Sequence, residues 1–272
     1  MTSQNEVQAS SQDSPQRRLP TASDFPSNLQ ITIVPPPPAP STPAASQPSP
    51  TNVLILLHGL GDTNIPFASL GRQLSLAETV CLSVQAPTPL PFELGGFHWG
   101  DDIQFDQASG NMDFDTGFGR ATKILTGEVI QKGLLDKCGF QRRDVVLFGF
   151  GQGGMAALAA ATASSASGDG ELGGVVSIGG PMPSSFPRSK VECGTGRMKT
   201  PVLVLGGATK SLITASAITR LKEMFEFFEY RKWQKAGDGM PGNREEMLPI
   251  MQFFARRLRS RRGVPEGSIE IT

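Results

Sequence analysis

The segment VVLFGFGQGG, residues 145–154, places an apolar run directly before a glycine-rich turn and an alanine-rich stretch. Turns of this kind between a strand and a helix hold a reactive side chain at their tip or bind an anion through backbone N–H groups at the helix N-terminus. The residue at the tip is Gly151, which has no nucleophile, and the Lys-Ser/Thr pair of a phosphate-binding loop is absent. The turn therefore predicts hydrogen-bond donors without a reactive side chain.

A second turn follows the apolar run LILLHGLGDT, residues 54–63, and would present backbone N–H groups to an oxyanion. His58 belongs to this turn, and we expect it to have a structural role. The other histidine of the chain, His98, precedes Trp99 in HWGDD. Both histidines come before Gly151, so the loops that follow it hold no imidazole.

Composition narrows the class of protein. The 272 residues are 38% hydrophobic, enough for a large core, and 25 basic residues balance 25 acidic ones, which disfavours a general nucleic-acid binder. Three cysteines without C-x-x-C spacing and two histidines predict no zinc site and no other metal or cofactor. A polar N-terminus and the lack of an apolar run of about 18 residues predict a soluble, cytoplasmic protein without a membrane span.

Short β-branched runs alternate with segments of helical spacing from residue 52 onward. The runs NVLILLH, TVCLSVQA, DVVLFGF, GGVVSIGG and PVLVLGG predict strands buried on both faces. The segments between and after them predict helices, including TASAITRLKEMFEFF and MQFFARRLRSR. Pro249 indicates that the last helix either begins near it or kinks there. This alternation predicts an α/β fold with a mostly parallel central sheet and helices on both faces.

The chain ends differ from this regular region. We expect residues 1–28 to form a disordered polar tail, residues 29–264 to form the domain with a Pro-rich loop over 35–51, and residues 265–272 to form a C-terminal tail. The Pro-rich stretch is interpreted as a linker, with docking of its PxxP spacings into an SH3-type groove as the alternative.

The arginines of RRLRSRR are expected to stabilise a helix end, or else to bind an anionic partner. The aspartates within residues 101–115 predict a solvated loop; a metal site there is the weaker interpretation.

Together, LLHGLGDT, APTPLPF, HWGDD, GFGQGGMAAL, PVLVLGG and REEM resemble, in order and spacing, the acyl-protein thioesterase branch of the phospholipase/carboxylesterase family. The resemblance covers residues 52–258. It implies an α/β-hydrolase fold with little or no lid, in which a Ser-Asp-His triad cleaves acyl thioesters and esters. By the same resemblance, the N–H groups of Leu60 and Gln152 would form the oxyanion hole, and His98 and Trp99 would lie near the acyl-binding cleft.

The triad positions implied by this resemblance are all substituted. Gly151 stands in the place of the serine, Lys210 in that of the aspartate and Met240 in that of the histidine. Ser177 lies on a later strand without such a turn, so we interpret it as an ordinary buried serine. A lysine at the acid position would oppose an imidazolium rather than stabilise it.

Three functions remain open from the sequence. The first is a non-catalytic pseudo-hydrolase that binds a small acyl or carboxylate ligand, or a protein partner, in the retained cleft. The second is an active ester or thioester hydrolase with a relocated catalytic group, such as His98 with a hydroxyl or water. The third is an interaction scaffold that uses the Pro-rich segment and the Arg-rich C-terminus.

Overall fold

Eleven strands are present in the computed structural model, which describes residues 17–38, 49–91, 94–105, 112–113, 115–166, 170–186 and 196–261. They are β1 (Ile31–Val34), β2 (Asn52–Leu57), β3 (Thr79–Val84), β4 (Thr88–Pro89), β5 (Phe97–His98), β6 (Gln104–Phe105), β7 (Met112–Asp113), β8 (Val145–Phe150), β9 (Gly174–Ile178), β10 (Val202–Gly206) and β11 (Phe228–Lys232). The helices are α1 (Asn64–Leu74), α2 (Gly119–Lys123), continued by a π-helical segment (Ile124–Lys137), α3 (Gln152–Ala166), α4 (Ala215–Met224) and α5 (Arg244–Arg257).

Seven of these strands form the central sheet, in the order β1-β3-β2-β8-β9-β10-β11. Only β1 is antiparallel to its neighbour; every other pairing in this sheet is parallel. The pairs β4–β5 and β6–β7 form two short hairpins between β3 and α2. The predicted α/β class with a mostly parallel sheet is confirmed.

The sheet is covered on both faces, which explains the uninterrupted apolar runs. On β2, Val53, Ile55 and Leu57 pack in a cluster that includes residues of α3 and the π-helical segment. Their neighbours Leu54 and Leu56 point to the opposite cluster, which includes residues of α1 and α5. Because successive side chains of a strand alternate between faces, every residue of β2 must be apolar or paired to be buried.

Two helical predictions need correction at their ends. The predicted helix ending in FEFF stops at Met224, and β11 begins at Phe228 as a half-exposed strand beside β10. The sequence did not predict β11 because an edge strand lacks the continuous apolar run of a central one. Helix α5 begins at Arg244, capped by the Asn243 side chain, and continues through Pro249.

The predicted disordered tail over residues 1–28 is wrong for residues 17–28. Arg17 donates to Asp144 at 2.8 Å, Arg18 donates to Asp24 at 2.8 Å, and Phe25 is buried against the face of the π-helical segment that carries Gly133. The contacts of Arg17 and Phe25 join residues that are distant in sequence, which composition alone does not predict. Residues 1–16, residues 265–272 and positions 39–48 of the Pro-rich loop lie outside the described residues.

Charged side chains in the arginine-rich and acidic segments form hydrogen bonds with other parts of the same chain. In the C-terminal arginine run, Arg259 donates to the buried carboxylate of Asp144 at 2.9 Å, and Arg256 donates to Glu229 at 2.6 Å. In the acidic segment, Asp101 accepts from the first two N–H groups of α2, both at 2.7 Å. No helix within the described part of the chain is both long and apolar enough to cross a membrane.

Candidate functional site

The turn at Gly151 is a sharp connection between β8 and α3. Gly151 alone separates Phe150 from Gln152, and its φ of +52° lies in the left-handed region that favours glycine. Its N–H donates to Ile178 O at 2.8 Å, and its carbonyl accepts from Gly154 N at 2.9 Å. The turn therefore has the strand–turn–helix geometry of a nucleophile elbow.

The flanking glycines of the elbow are required for a different reason. A Cβ on Gly149 would overlap the backbone of Gly153, and a Cβ on Gly153 would overlap the carbonyls of Leu57 and His58. A Cβ on Gly151 would have no heavy atom within 4 Å. Gly149 and Gly153 therefore allow β8, α3 and the end of β2 to approach, while Gly151 leaves open space at the tip.

His58 fixes the turn that follows β2. The ring is completely buried, its Nδ1 donates to Gly59 O at 2.8 Å, and its Nε2 accepts from Ala86 N at 3.0 Å. This pattern selects the neutral tautomer with a proton on Nδ1. Burial lowers the pKa of His58, against an opposing effect of the Gly59 carbonyl and Asp62. The structural role predicted for His58 agrees with these contacts.

Trp99 connects the two turns that carry the expected oxyanion donors. Its indole N–H donates to His58 O at 2.9 Å, and its backbone N–H donates to Gln152 Oε1 at 2.7 Å. Trp99 has no exposed surface and Gln152 is also buried. The expectation that Trp99 lies near the acyl-binding cleft stays a prediction; the buried side chain positions the two turns.

Of the remaining predicted binding residues, Leu60 is at the surface and His98 is not. Leu60 is 36% exposed on the turn after His58, whereas His98 is 3% exposed and pairs with Thr88 across the β4–β5 hairpin. Burial lowers the pKa of His98, and Arg120 lowers it further. Nδ1 of His98 has no hydrogen-bond partner among the residues described in the structure. His98 is therefore a neutral, buried imidazole on the β4–β5 hairpin.

Lys210 lies on the loop after β10, where its side chain is exposed and its φ is +55°. A carboxylate from elsewhere in the chain binds this loop. Asp238, on the loop after β11, accepts from Gly207 N at 2.9 Å and from Leu212 N at 2.7 Å. Asp238 was not predicted from the sequence, because only position 210 stands in the place of the triad acid by spacing. The one available signal was an aspartate between two glycines in a loop expected to carry the histidine.

Met240 is half-buried and packs against the cluster that contains Trp233. Its carbonyl accepts from Lys235 Nζ at 2.6 Å, and the same ammonium donates to Glu246 at 2.7 Å and lies 4.3 Å from the centre of the Trp233 ring. The Gly242 N–H, followed by Lys235, lowers the pKa of Glu246. These bonds fix the loop after β11 around Met240.

Ser177 is the remaining hydroxyl considered in the sequence. It is completely buried on β9, and its Oγ donates to Gly180 O at 2.7 Å. A Cβ on Gly154 would overlap this oxygen, so α3 packs directly on it. The prediction of an ordinary buried serine is confirmed.

The parallel sheet covered on both faces and the elbow after β8 define an α/β-hydrolase fold. Residues 42–256 match the family model for phospholipases and carboxylesterases, and the chain belongs to that family.

The relatives span nearly the whole domain. An uncharacterized hydrolase of Schizosaccharomyces pombe is 27% identical over 229 residues, which are 81% of this chain and 89% of the relative. Acyl-protein thioesterase 2 of Zea mays has a TM-score of 0.55 at 19% identity, covering 85% of this chain and 99% of its own. SOBER1 of Arabidopsis thaliana has a TM-score of 0.58 at 23% identity, covering 76% and 99%. These two solved structures show a shared fold.

Proposed function

We propose that this protein is a pseudo-hydrolase: a non-catalytic member of its family that binds a small acyl or carboxylate ligand at the elbow. The observation that carries this proposal is Gly151, which sits at the tip of an intact elbow with open space where a side chain would project. An elbow normally holds its nucleophile in that conformation at a cost of about 1–3 kcal/mol. Glycine keeps the turn without that cost and without a hydroxyl.

The donors expected for a ligand oxygen are backbone groups and do not depend on the triad side chains. By resemblance to the family they are the N–H groups of Leu60 and Gln152. The buried contacts of His58 and Trp99 support the turns that carry both residues. In hydrolases that lose their triad, oxyanion stabilisation and binding leave only about 10³- to 10⁴-fold acceleration over water. Binding of an acyl carbonyl or carboxylate is therefore the activity that this site supports best.

The test combines turnover with binding on the purified protein. We expect no hydrolysis of p-nitrophenyl butyrate or a palmitoyl thioester above a Gly151→Asn control, and no labelling by a fluorophosphonate. Asparagine tolerates the left-handed conformation and would fill the space at the tip. In calorimetry with hexanoate and hexanamide, we expect Gly151→Asn to weaken binding at least about tenfold.

Gly196→Asn is the matched control for this substitution. Gly196 also has a positive φ, +79°, and open space around its Cβ position, but it lies before β10 rather than at the elbow. Binding that is equal in the wild type and both variants would contradict a ligand at the elbow. Turnover that is lost in Gly151→Asn and kept in Gly196→Asn would contradict the absence of catalysis.

A further inference from the structure

We infer that Asp238 replaces the missing acid–histidine pair as a positioning residue that ties the loop after β11 to the loop after β10. This inference rests on the proposed function, because it explains how the cleft keeps its shape once the triad side chains are gone. Asp238 lies two residues before Met240, on the loop where a family member would carry its histidine.

The carboxylate of Asp238 bonds the neighbouring loop at both of its ends. Oδ1 accepts from Gly207 N at 2.9 Å and Oδ2 accepts from Leu212 N at 2.7 Å, so the two bonds span residues 207–212. Hydrogen bonds to a charged group contribute more than neutral ones, because the ionised acceptor is stronger. In a working triad the same two loops are joined by an acid on one and an imidazole on the other. Here the acid is on the opposite loop and its partners are backbone amides.

The backbones of the two loops are also paired. Ala208 N donates to Lys235 O and Gly237 N donates to Thr209 O, both at 2.7 Å. A Cβ on Gly207 would overlap the backbone of Gly237, which shows how closely the loops approach. Between Thr209 and Leu212, the loop after β10 passes through Lys210, whose φ is +55°. A lysine rarely adopts this left-handed conformation unless its surroundings impose it.

Asp238 also lies next to the elbow. A Cβ on Gly179 would overlap the Cβ of Asp238, and a Cβ on the adjacent Gly180 would overlap the carbonyl of Gly151. The side chain of Asp238 therefore occupies the space between the ends of β9 and β10. It packs against Gly179, and the next residue, Gly180, packs against Gly151. Loss of this carboxylate should affect the loop after β10 first and the cleft second.

Amide hydrogen exchange measured by NMR tests this role directly. In Asp238→Ala, we expect the amides of Gly207 and Leu212 to exchange at least about tenfold faster, because each loses a charge-assisted bond. Asp238→Asn keeps one acceptor oxygen and should protect one of the two amides. Asp136→Ala removes an exposed carboxylate on the π-helical segment and should leave both unchanged. Unchanged exchange in Asp238→Ala, or an equal effect in Asp136→Ala, would overturn the inference.

Restoring the triad gives a second measurement. An aspartate at position 210 would accept from the N–H two residues on, that of Leu212, which Asp238 already holds. That aspartate would replace only the bond to Leu212 and not the bond to Gly207, so we expect the triple variant Gly151→Ser, Lys210→Asp, Met240→His to hydrolyse p-nitrophenyl butyrate at least about tenfold more slowly once Asp238→Ala is added. A quadruple variant as fast as the triple variant, or faster, would count against the inference, whereas turnover by the wild type would contradict only the proposed function. The exchange measurement decides the role of Asp238 even where neither variant hydrolyses the ester.

Discussion

Glycines at the elbow are present for two different physical reasons, and substitution separates them. Gly151 adopts a left-handed φ, and the space at its Cβ position is open. Gly153 is required because a Cβ there would overlap the carbonyls of Leu57 and His58. We expect Gly151→Ala to lower the free energy of unfolding by about 1–2 kcal/mol, the cost of an L-residue in that region.

Gly153→Ala should cost at least about 3 kcal/mol, because backbone oxygens cannot move aside as flexible side chains do. Urea unfolding of the two variants beside the wild type measures the difference. Equal losses in Gly151→Ala and Gly153→Ala would show that the turn is not packed as described.

The sequence predicted that Gly151, Lys210 and Met240 stand at the triad positions, because this prediction needs only the position of a residue along a motif. It did not identify Asp238, since the partners of that carboxylate are amides 26 and 31 residues away in the chain. It placed Trp99 near the acyl-binding cleft but did not predict that the buried indole N–H donates to His58 O. Residue type predicts what a side chain is able to do, and packing determines which of those things it does.

At the scale of elements, the turn after β2 depends on an uncharged His58. His58 and His98 are the two histidines of the chain, and burial lowers the pKa of each below the ordinary value near 6.5. As pH falls below about 6.5, the unfolded chain therefore binds protons that the native protein does not. We expect the free energy of unfolding to be constant above pH 7.5 and to decrease between pH 6.5 and 5.

Urea unfolding at a series of pH values measures this dependence. His58→Gln should show a shallower decrease than the wild type, because one of the two titrating groups is gone. A profile that is flat from pH 7.5 to 5 would contradict the burial of neutral imidazoles.

Elements with a strong apolar period were predicted well, whereas the edge strand β11 was not. The runs that became β2, β3, β8, β9 and β10 are buried on both faces, so hydrophobicity alone marked them. Strand β11 is half-exposed and forms because β10 offers it a parallel partner. Its sequence, FEYRK, has no signal of comparable strength.

For the whole molecule, one buried carboxylate joins both ends of the described chain. Asp144 lies at the start of β8 with no exposed side-chain surface, and it binds Arg17 from the N-terminal segment and Arg259 from the segment after α5. This clamp is at the end of β8 opposite the elbow. The N-terminal segment is therefore part of the domain rather than a tail.

Truncation tests this clamp. Removal of residues 1–28 deletes the Arg17–Asp144 bond and the buried Phe25 side chain, so we expect a loss of at least about 3 kcal/mol in the free energy of unfolding. Removal of residues 1–16 keeps the contacts that Arg17, Arg18 and Phe25 make within the described residues and serves as the matched control. Thermal unfolding of the two truncations would contradict the clamp if both lost the same stability.

The sequence by itself determined the α/β class, the elbow and the lack of a nucleophile, because these follow from local patterns and from residue identity at fixed spacing. The tertiary structure decided which groups meet: Trp99 with His58 and Gln152, Asp238 with the loop after β10, and Asp144 with both chain ends. Each of these contacts joins residues far apart in the chain. Their hydrogen bonds exist only after the sheet has brought the loops together, so no local pattern encodes them.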